Sequence, residues 1–545
     1  MNEKVNLQKL IDDNFIERIF EQDGTIWKSD EKVVAHIENR LGWVESPIEF
    51  LNAIDEINSF SAEVTKSGIK NIVLCGMGGS SLSPEVAQQT YGSAEGYPEL
   101  IVLDNTSPFA VKSVENQIDL LNTVFIVASK SGGTVETMSF YKYFFEKIKQ
   151  AGVENPGDHF IAITDPGSNF EREATDKKFR KTFTNPPNIG GRYSVLSYFG
   201  LVPMGMIGVD IKTLCEYAIG MISMCHPEAD IEHNAGLSLG NWIGTQAQNG
   251  KDKLTLIFDD AIFSFAYWAE QLIAESVGKE GKGVVPIVNE AQISPEKYGD
   301  DRAFVSMGLD GNDDAEKEAF LSGLEKAGQP LYRIILPDTL ALGGEFWCWE
   351  FATAVAGKVL DVNPFDEPNV SEAKASTDKL LDFWRENGKL TNDQPVAREE
   401  GFEIYSNMDI HSIKDLINLL QPKDYFSQLI YFPKSNERHQ ILEKIRLQVG
   451  QQHNVATTLD YGPRYLHSTG QLHKGGPNNG VYLMMTIDQS IDLPVPGTDY
   501  DFQILHLAKG LGDYVSLTQK GRRVARIHIT GDVSETIHTI LDALN

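Results

Sequence analysis

Short apolar runs recur along the chain, each ending in small or polar residues and most followed by sequence of helical periodicity. The first set is NIVLC (71–75), LIVLD (100–104), VFIVAS (124–129) and FIAIT (160–164). The second is LTLIFDD (254–260), GVVPIV (283–288), AFVSMG (303–308) and YRIILP (332–337), with helical patterns in the gaps, including EFWCWEFATAVAGKVL (345–360). Apolar strands alternating with helices are the pattern of parallel α/β sheets. A third, weaker set follows the polar stretch TDKLLDFWRENGKLTNDQPVAREEG (377–401). It comprises FSQLIYF (426–432), the helix-like NERHQILEKIRLQVGQQ (436–452), VATTL (455–459), VYLMMTID (481–488) and RVARIHI (523–529). The pattern predicts an α/β chain with two tandem doubly wound, three-layer domains. We place an N-terminal helical segment over 1–60, a first domain over 61–235, a second over 236–400 and a C-terminal α/β module over 401–545.

Charge narrows the partners. A net charge of −29 repels nucleic acid and anionic membranes, because phosphate backbones are bound by clustered Lys and Arg. It repels a small anionic substrate as well, so any phosphate site must be local, built from helix N-termini and a few placed cations. The four cysteines form no CxxC pair, which disfavours a disulfide framework or zinc ribbon and fits a reducing, cytoplasmic setting. The N-terminal MNEKVNLQKLIDDNF carries acid where a targeting peptide carries base, and VLSYFGLVPMGMIGV (195–209) is too short and too broken to span a bilayer.

In open α/β sheets ligands sit beyond the carboxyl ends of strands, and several motifs fall there. CGMGGSS (75–81) lets the backbone approach a ligand at Gly76, Gly78 and Gly79, with the Ser80 hydroxyl beside them. A dinucleotide fingerprint would need glycine where Ser81 stands, and a tight turn is the plainer account. SKSGGT (129–134) offers the hydroxyls of Ser129, Ser131 and Thr134, the bare amides of Gly132 and Gly133, the cation of Lys130, and a helix start near Thr134. It is not a P-loop, yet it has the parts of a phosphomonoester pocket. A capped helix start accounts for one or two hydroxyls but not for three with a glycine pair.

GGRYS (190–194) sets Arg192 behind two glycines, suited to an oxyanion or simply to the surface. AESVGKEGKG (274–283) puts Glu275 near the end of a helix beginning near Ala261, either a surface accident against the dipole or a base for proton abstraction. YGPRYLHSTGQLHKGGP (461–477) gathers Arg464, His467, Gln471, His473 and Lys474 in a polar loop that is either plain surface or a flap over an anionic or sugar ligand. His467 and His473 have no carboxylate or Cys at ligand spacing, which gives a metal little support.

Together these blocks, with GMGGSSLSPE (76–85), SKSGGTVET (129–137), GGRYSVLS (190–197) and NPFDEPNV (363–370), resemble the glucose-6-phosphate isomerase family over nearly the whole chain. Within it they are most similar to the isomerase half of fused transaldolase/phosphoglucose isomerase chains. No transaldolase-sized segment precedes the isomerase region, so isomerase alone is expected. The resemblance implies two sugar-isomerase (SIS) domains and interconversion of glucose 6-phosphate and fructose 6-phosphate through a cis-enediol, without metal or redox cofactor. It implies that Ser129, Ser131, Thr134 and the Lys130 amide hold the phosphate, that Gly79 and Ser80 line the sugar, and that Glu136 sits beside it. Arg192 would stabilise the enediolate, Glu275 would move the proton between C2 and C1, and Lys474 would work near the ring oxygen.

One position departs from the family. Where the ring-opening histidine is expected, LGGEFWCWEF (342–351) has Glu345 instead, leaving Glu345, His467 and His473 as alternatives. The family is commonly dimeric, with that histidine arriving from a neighbouring subunit, so its absence leaves a homodimer open. Mannose 6-phosphate is a further candidate substrate. A non-catalytic sugar-phosphate sensor would keep the hydroxyl loop but not need Glu275, Arg192 and Lys474.

Overall fold

The computed structural model describes residues 2–312, 314–489, 491 and 493–544. Helices run from Glu3 to Lys66 ahead of the first sheet. That sheet contains β1 (Asn71–Cys75), β2 (Glu99–Leu103), β3 (Thr123–Ala128), β4 (Phe160–Thr164) and β5 (Lys181–Thr184), all parallel, in the order β2-β1-β3-β4-β5. The second holds β6 (Lys253–Phe258), β7 (Val285–Ile287), β8 (Arg302–Leu309) and β9 (Leu331–Leu336), again parallel, in the order β7-β6-β8-β9. The third holds β10 (Ala397–Glu399), β11 (Phe402–Tyr405), β12 (Tyr425–Tyr431), β13 (Ala456–Tyr461), β14 (Gly480–Ile487) and β15 (Arg523–Ile529). Its order is β10-β11-β15-β14-β12-β13, with β12 to β15 parallel and β10 and β11 added antiparallel at one edge.

The apolar runs of the sequence are the central strands. Helical crossovers cover both faces of a parallel sheet, so β3 is buried at every position and needs a continuous apolar run. Three strands are not among those runs. β5 is an edge strand that reads KTFT, and β10, at the edge of its sheet, and its neighbour β11 are short with polar positions. The first half of the polar 377–401 stretch is helix, the C-terminal part of Pro368–Asn387, which packs on the Phe502–Gln519 helix through Leu381 and Leu511. Gly512 permits that approach, because a Cβ there would lie 2.7 Å from Thr377 Oγ1.

The first two sheets share one topology. In each, the lead strand lies between the second and the third, so connections leave on opposite sides and a crevice opens at the strand ends. In the first sheet the pairing Cys75↔Val127 sets the loop after β1 beside the loop after β3. In the second, Asp259 follows β6 and fills the equivalent place. Its Oδ2 accepts from the Leu309 amide and from Asn312 Nδ2, each at 2.8 Å, and its Oδ1 pairs with Lys317.

One apolar core joins the N-terminal helices, one face of the first sheet and the second sheet, through Phe15, Trp43, Ile126, Val305 and Trp347. The other face of the first sheet is closed from the C-terminal module, where Leu493, Val495 and Phe502 join Phe125 and Phe144. Among the described residues no helix is long and apolar enough to cross a membrane. All four cysteines are buried and unpaired.

Candidate active site

The crevice of the first sheet is lined by the loops after β1 and β3. Gly78 adopts φ 58°, and a Cβ there would lie 2.8 Å from Gln271 Nε2 and 3.0 Å from the His467 carbonyl. A Cβ on Gly79 would run into the Gly191 carbonyl. These two glycines let three distant segments close on the β1 loop: 190–194, the Ser264–Val277 helix and 461–477. Ser80 stands half-buried at the start of the Gly79–Val86 helix.

After β3, Ser129 is buried and Ser131 exposed. The Gly133 amide donates to Ser131 Oγ at 3.2 Å, and Ser129 Oγ lies 3.4 Å from Thr134 Oγ1. Thr134 is the N-cap of the Val135–Gln150 helix, but its side chain caps no amide. The hydroxyls and the positive helix end are therefore presented together to the crevice. The Lys130 ammonium turns away to Asp165 at 2.6 Å and the Pro187 carbonyl at 2.9 Å, so this residue faces the loop with its backbone.

Glu275 lies in the last turn of the Ser264–Val277 helix, 8% exposed. Its Oε2 accepts from Gln271 Nε2 at 3.1 Å, and its Oε1 stands 3.8 Å from Arg192 Nη1. Burial pushes its carboxyl above the ordinary range and Glu367 adds to this, while Arg192 and His467 oppose. Arg192 is clamped on every side. Its Nε donates to Ser276 Oγ at 2.7 Å, Nη1 to Glu367 at 3.0 Å, and Nη2 to the carbonyls of Pro364 at 2.7 Å and Asp366 at 3.0 Å. The NPFDEPNV segment is thus the socket of the guanidinium.

Glu136, second in the Val135–Gln150 helix, is buried, and one of its oxygens meets both His467 Nε2 at 3.1 Å and the Lys509 ammonium at 2.8 Å. Burial opposes its charge, but Lys509 and His467 outweigh it and hold the carboxyl far below the usual range. The His467 backbone carbonyl also accepts from Gln271 Nε2 at 2.7 Å, tying Glu136 to Glu275 through two residues.

The other predicted residues each have partners of their own. Lys474 is buried with its ammonium 2.6 Å from Asp513, whose other oxygen accepts from the Tyr465 hydroxyl at 2.7 Å. His473 faces the rings of Tyr425, Tyr465 and Tyr482, and burial holds its imidazole well below the usual range. Glu345 accepts from Trp349 Nε1 at 3.1 Å and lies beside a surface groove with Tyr217 and Met221, sharing no partner with Glu275 among the described residues. Lys509 escaped the sequence reading. Its signal was weak: a Lys and an Asp four apart in LHLAKGLGDY, among small and apolar residues.

A hydroxyl loop at the switch point of one doubly wound sheet, together with a buried carboxylate–guanidinium pair, marks an α/β protein of the SIS type. A hypothetical protein from Thermus thermophilus shares the fold with TM-score 0.60 and 23% identity, over 69% of this chain and 96% of its own. A glucose-6-phosphate isomerase from Chlamydia trachomatis superposes with TM-score 0.56 and 16% identity, over 70% of this chain and 86% of its own. The phosphoglucose isomerase family model matches residues 23–300. The chain belongs to the phosphoglucose isomerase family. The glucose-6-phosphate isomerase of Carboxydothermus hydrogenoformans is 28% identical over 398 residues, covering 63% of this chain and 85% of the relative. That of Campylobacter jejuni is 33% identical over 233 residues, covering 42% of this chain and 55% of the relative.

Proposed function

We propose that this chain interconverts glucose 6-phosphate and fructose 6-phosphate, with Glu275 as the proton-transferring base. Family membership supports the reaction, and the observation that carries the assignment is the buried Glu275 carboxylate facing a fixed Arg192. The hydroxyls of Ser129, Ser131 and Thr134, the Lys130 amide and the helix end anchor the 6-phosphate. Gly79 and Ser80 line the sugar.

His467, held by Glu136, acts as the acid on the closed ring. It gives its proton to the ring oxygen as the C1–O5 or C2–O5 bond breaks. The anomeric hydroxyl releases its own proton as the carbonyl forms, which restores the acid. Glu275 then takes the proton from the carbon beside the carbonyl, leaving a cis-enediolate; the hydroxyl proton passes between the two enediolate oxygens, and Glu275 returns its own proton to the neighbouring carbon. Arg192 stabilises negative charge on the enediol oxygens, a type of contribution worth about 3–4 kcal/mol per donor.

The test is a coupled assay with fructose 6-phosphate beside the variant Glu275→Gln. A positioned base is worth about 10²–10⁴-fold in rate, so the variant is expected to lose turnover on that scale while still binding the sugar phosphate. Wild-type turnover in Glu275→Gln would overturn the assignment.

A further inference from the structure

Glu275 is followed by Ser276, fully buried in the last turn of the Ser264–Val277 helix. A serine inside a helix often turns its hydroxyl back to the carbonyl one turn earlier, as Ser139 does to Val135 and Ser223 to Ile219. Among the described residues Ser276 makes no such bond. Its Oγ instead accepts from Arg192 Nε at 2.7 Å and from the Tyr193 hydroxyl at 3.2 Å. The Tyr193 ring is itself fixed, stacked on Trp43 at 5.4 Å and tilted against Phe365 at 5.2 Å. Its hydroxyl and Arg192 Nη2 also converge on the Pro364 carbonyl, at 3.4 Å and 2.7 Å.

A guanidinium carries five N–H donors in a rigid fork. In Arg192 the Nε donor goes to Ser276, the two Nη2 donors go to the Pro364 and Asp366 carbonyls, and one Nη1 donor goes to Glu367. The last donor, on Nη1, has no hydrogen-bond partner among the described residues, and Glu275 Oε1 stands 3.8 Å from that nitrogen. We infer that Ser276 is a positioning residue of the active site. By taking the Nε proton it fixes the rotation of the Arg192 fork and leaves one Nη1 donor on the side of Glu275, for an oxygen of the reacting sugar. This rests on the roles proposed above for Glu275 and Arg192.

The base and the anchor of the guanidinium are consecutive residues of one helix end. Just past that end, Lys279 donates to Asp366 Oδ1 at 2.8 Å and to the Asp366 carbonyl, the same carbonyl that Arg192 Nη2 uses. Positions 275, 276 and 279 thus carry the base, the anchor and a brace of the socket. A shift of the helix end moves all three together, so the spacing of carboxylate and guanidinium survives it. Without the Ser276 oxygen, the fork is held only by the 364–367 segment, where the Glu367 side chain is 41% exposed. Its registration against the base is then lost, and geometry of that kind sets the barrier steeply.

The experiment reads the Arg192 Nε–H signal by NMR in arginine-labelled full-length protein, assigned with Arg192→Lys, beside kcat and KM for fructose 6-phosphate. In the wild type the signal is sharp and exchanges slowly with solvent. In Ser276→Ala it shifts and exchanges about tenfold faster or more, kcat falls about 10- to 100-fold, and KM stays within about twofold. Ser276→Cys keeps the packing but offers a weak acceptor. It moves the same quantities less, and it carries the test if Ser276→Ala does not fold. An Nε–H unprotected in the wild type, or unmoved in the folded variant, overturns the inference, as does a loss confined to KM or to stability. The signal is read without turnover. An inactive wild-type protein whose Nε–H is protected, and is released in Ser276→Ala, would sink the isomerase reading and leave the anchoring of Arg192 by Ser276 standing.

Discussion

Arg192 Nη1 is shared by two carboxylates: Glu367 at 3.0 Å and Glu275 at 3.8 Å. Glu275 is the buried partner, while the Glu367 side chain is 41% exposed. After burial, the field of Glu367 is one of the forces raising the Glu275 carboxyl. Glu367→Gln removes that force and leaves the guanidinium to Glu275. The acid limb of kcat/KM, which follows ionisation of the base, is expected to move to lower pH. A limb that moves up would show that Glu367 acts chiefly by placing Arg192.

The hydroxyl loop predicts a binding phenotype without a chemical one. Hydrogen bonds to a charged group contribute about 1.5–3 kcal/mol each. Ser129→Ala and Thr134→Ala are each expected to raise KM about tenfold or more, with kcat changed far less. Inorganic phosphate should weaken as a competitive inhibitor in parallel. Equal losses in kcat would place these hydroxyls at the reacting carbons instead.

Lys474 and Asp513 form an ion pair with side chains 1% and 0% exposed. Removing one member of a buried pair costs about 3–5 kcal/mol because the other is left uncompensated. Lys474→Met should therefore lower the urea midpoint sharply, and Lys474→Met with Asp513→Asn should recover much of it. If the pair supports the C-terminal helix, the double variant keeps turnover within about tenfold. A stable but inactive double variant would return Lys474 to the chemistry.

Glu345 makes a stability prediction with a definite sign. Burial pushes its carboxyl up to about 7, opposed only by the bond from Trp349. A carboxyl raised on folding binds its proton more tightly in the native state, so stability is full below the unfolded pKa and falls as pH rises through 7. Glu345→Gln should gain on the order of 3 kcal/mol at pH 8 and nothing at pH 4, read from urea unfolding at the two pH values. Its kcat/KM should stay within about twofold of wild type, since Glu345 shares no partner with Glu275 among the described residues.

What the sequence made legible was what is locally written. β1, β3, β6 and β8 are mostly apolar because both faces are covered, and the hydroxyl loop shows its hydroxyls and glycines side by side. β5 and β10 were not legible, because short edge strands carry little apolar pattern. The pairing of His467 with Glu136 joins residues 331 apart in sequence, and no local pattern records it. Lys509 was hidden differently. A cation inside a helix rich in Leu, Ala and Gly looks like the exception in a packing surface until the opposing helix is seen to carry a buried carboxylate. The surroundings of Glu345 were not legible either: its neighbours are Trp349 and a groove beside the Ile211–Cys225 helix.

The carboxylate of Asp259 gives the duplicated topology a stoichiometry. At the switch point of the second sheet it takes up the Leu309 amide and Asn312 and pairs with Lys317, so these donors are satisfied from within the chain. On the reading proposed above, two sheets of like design yield one port and one stopper. Isothermal titration with sugar phosphate should saturate at a single equivalent per chain, and a second equivalent would mean that the stopper lifts.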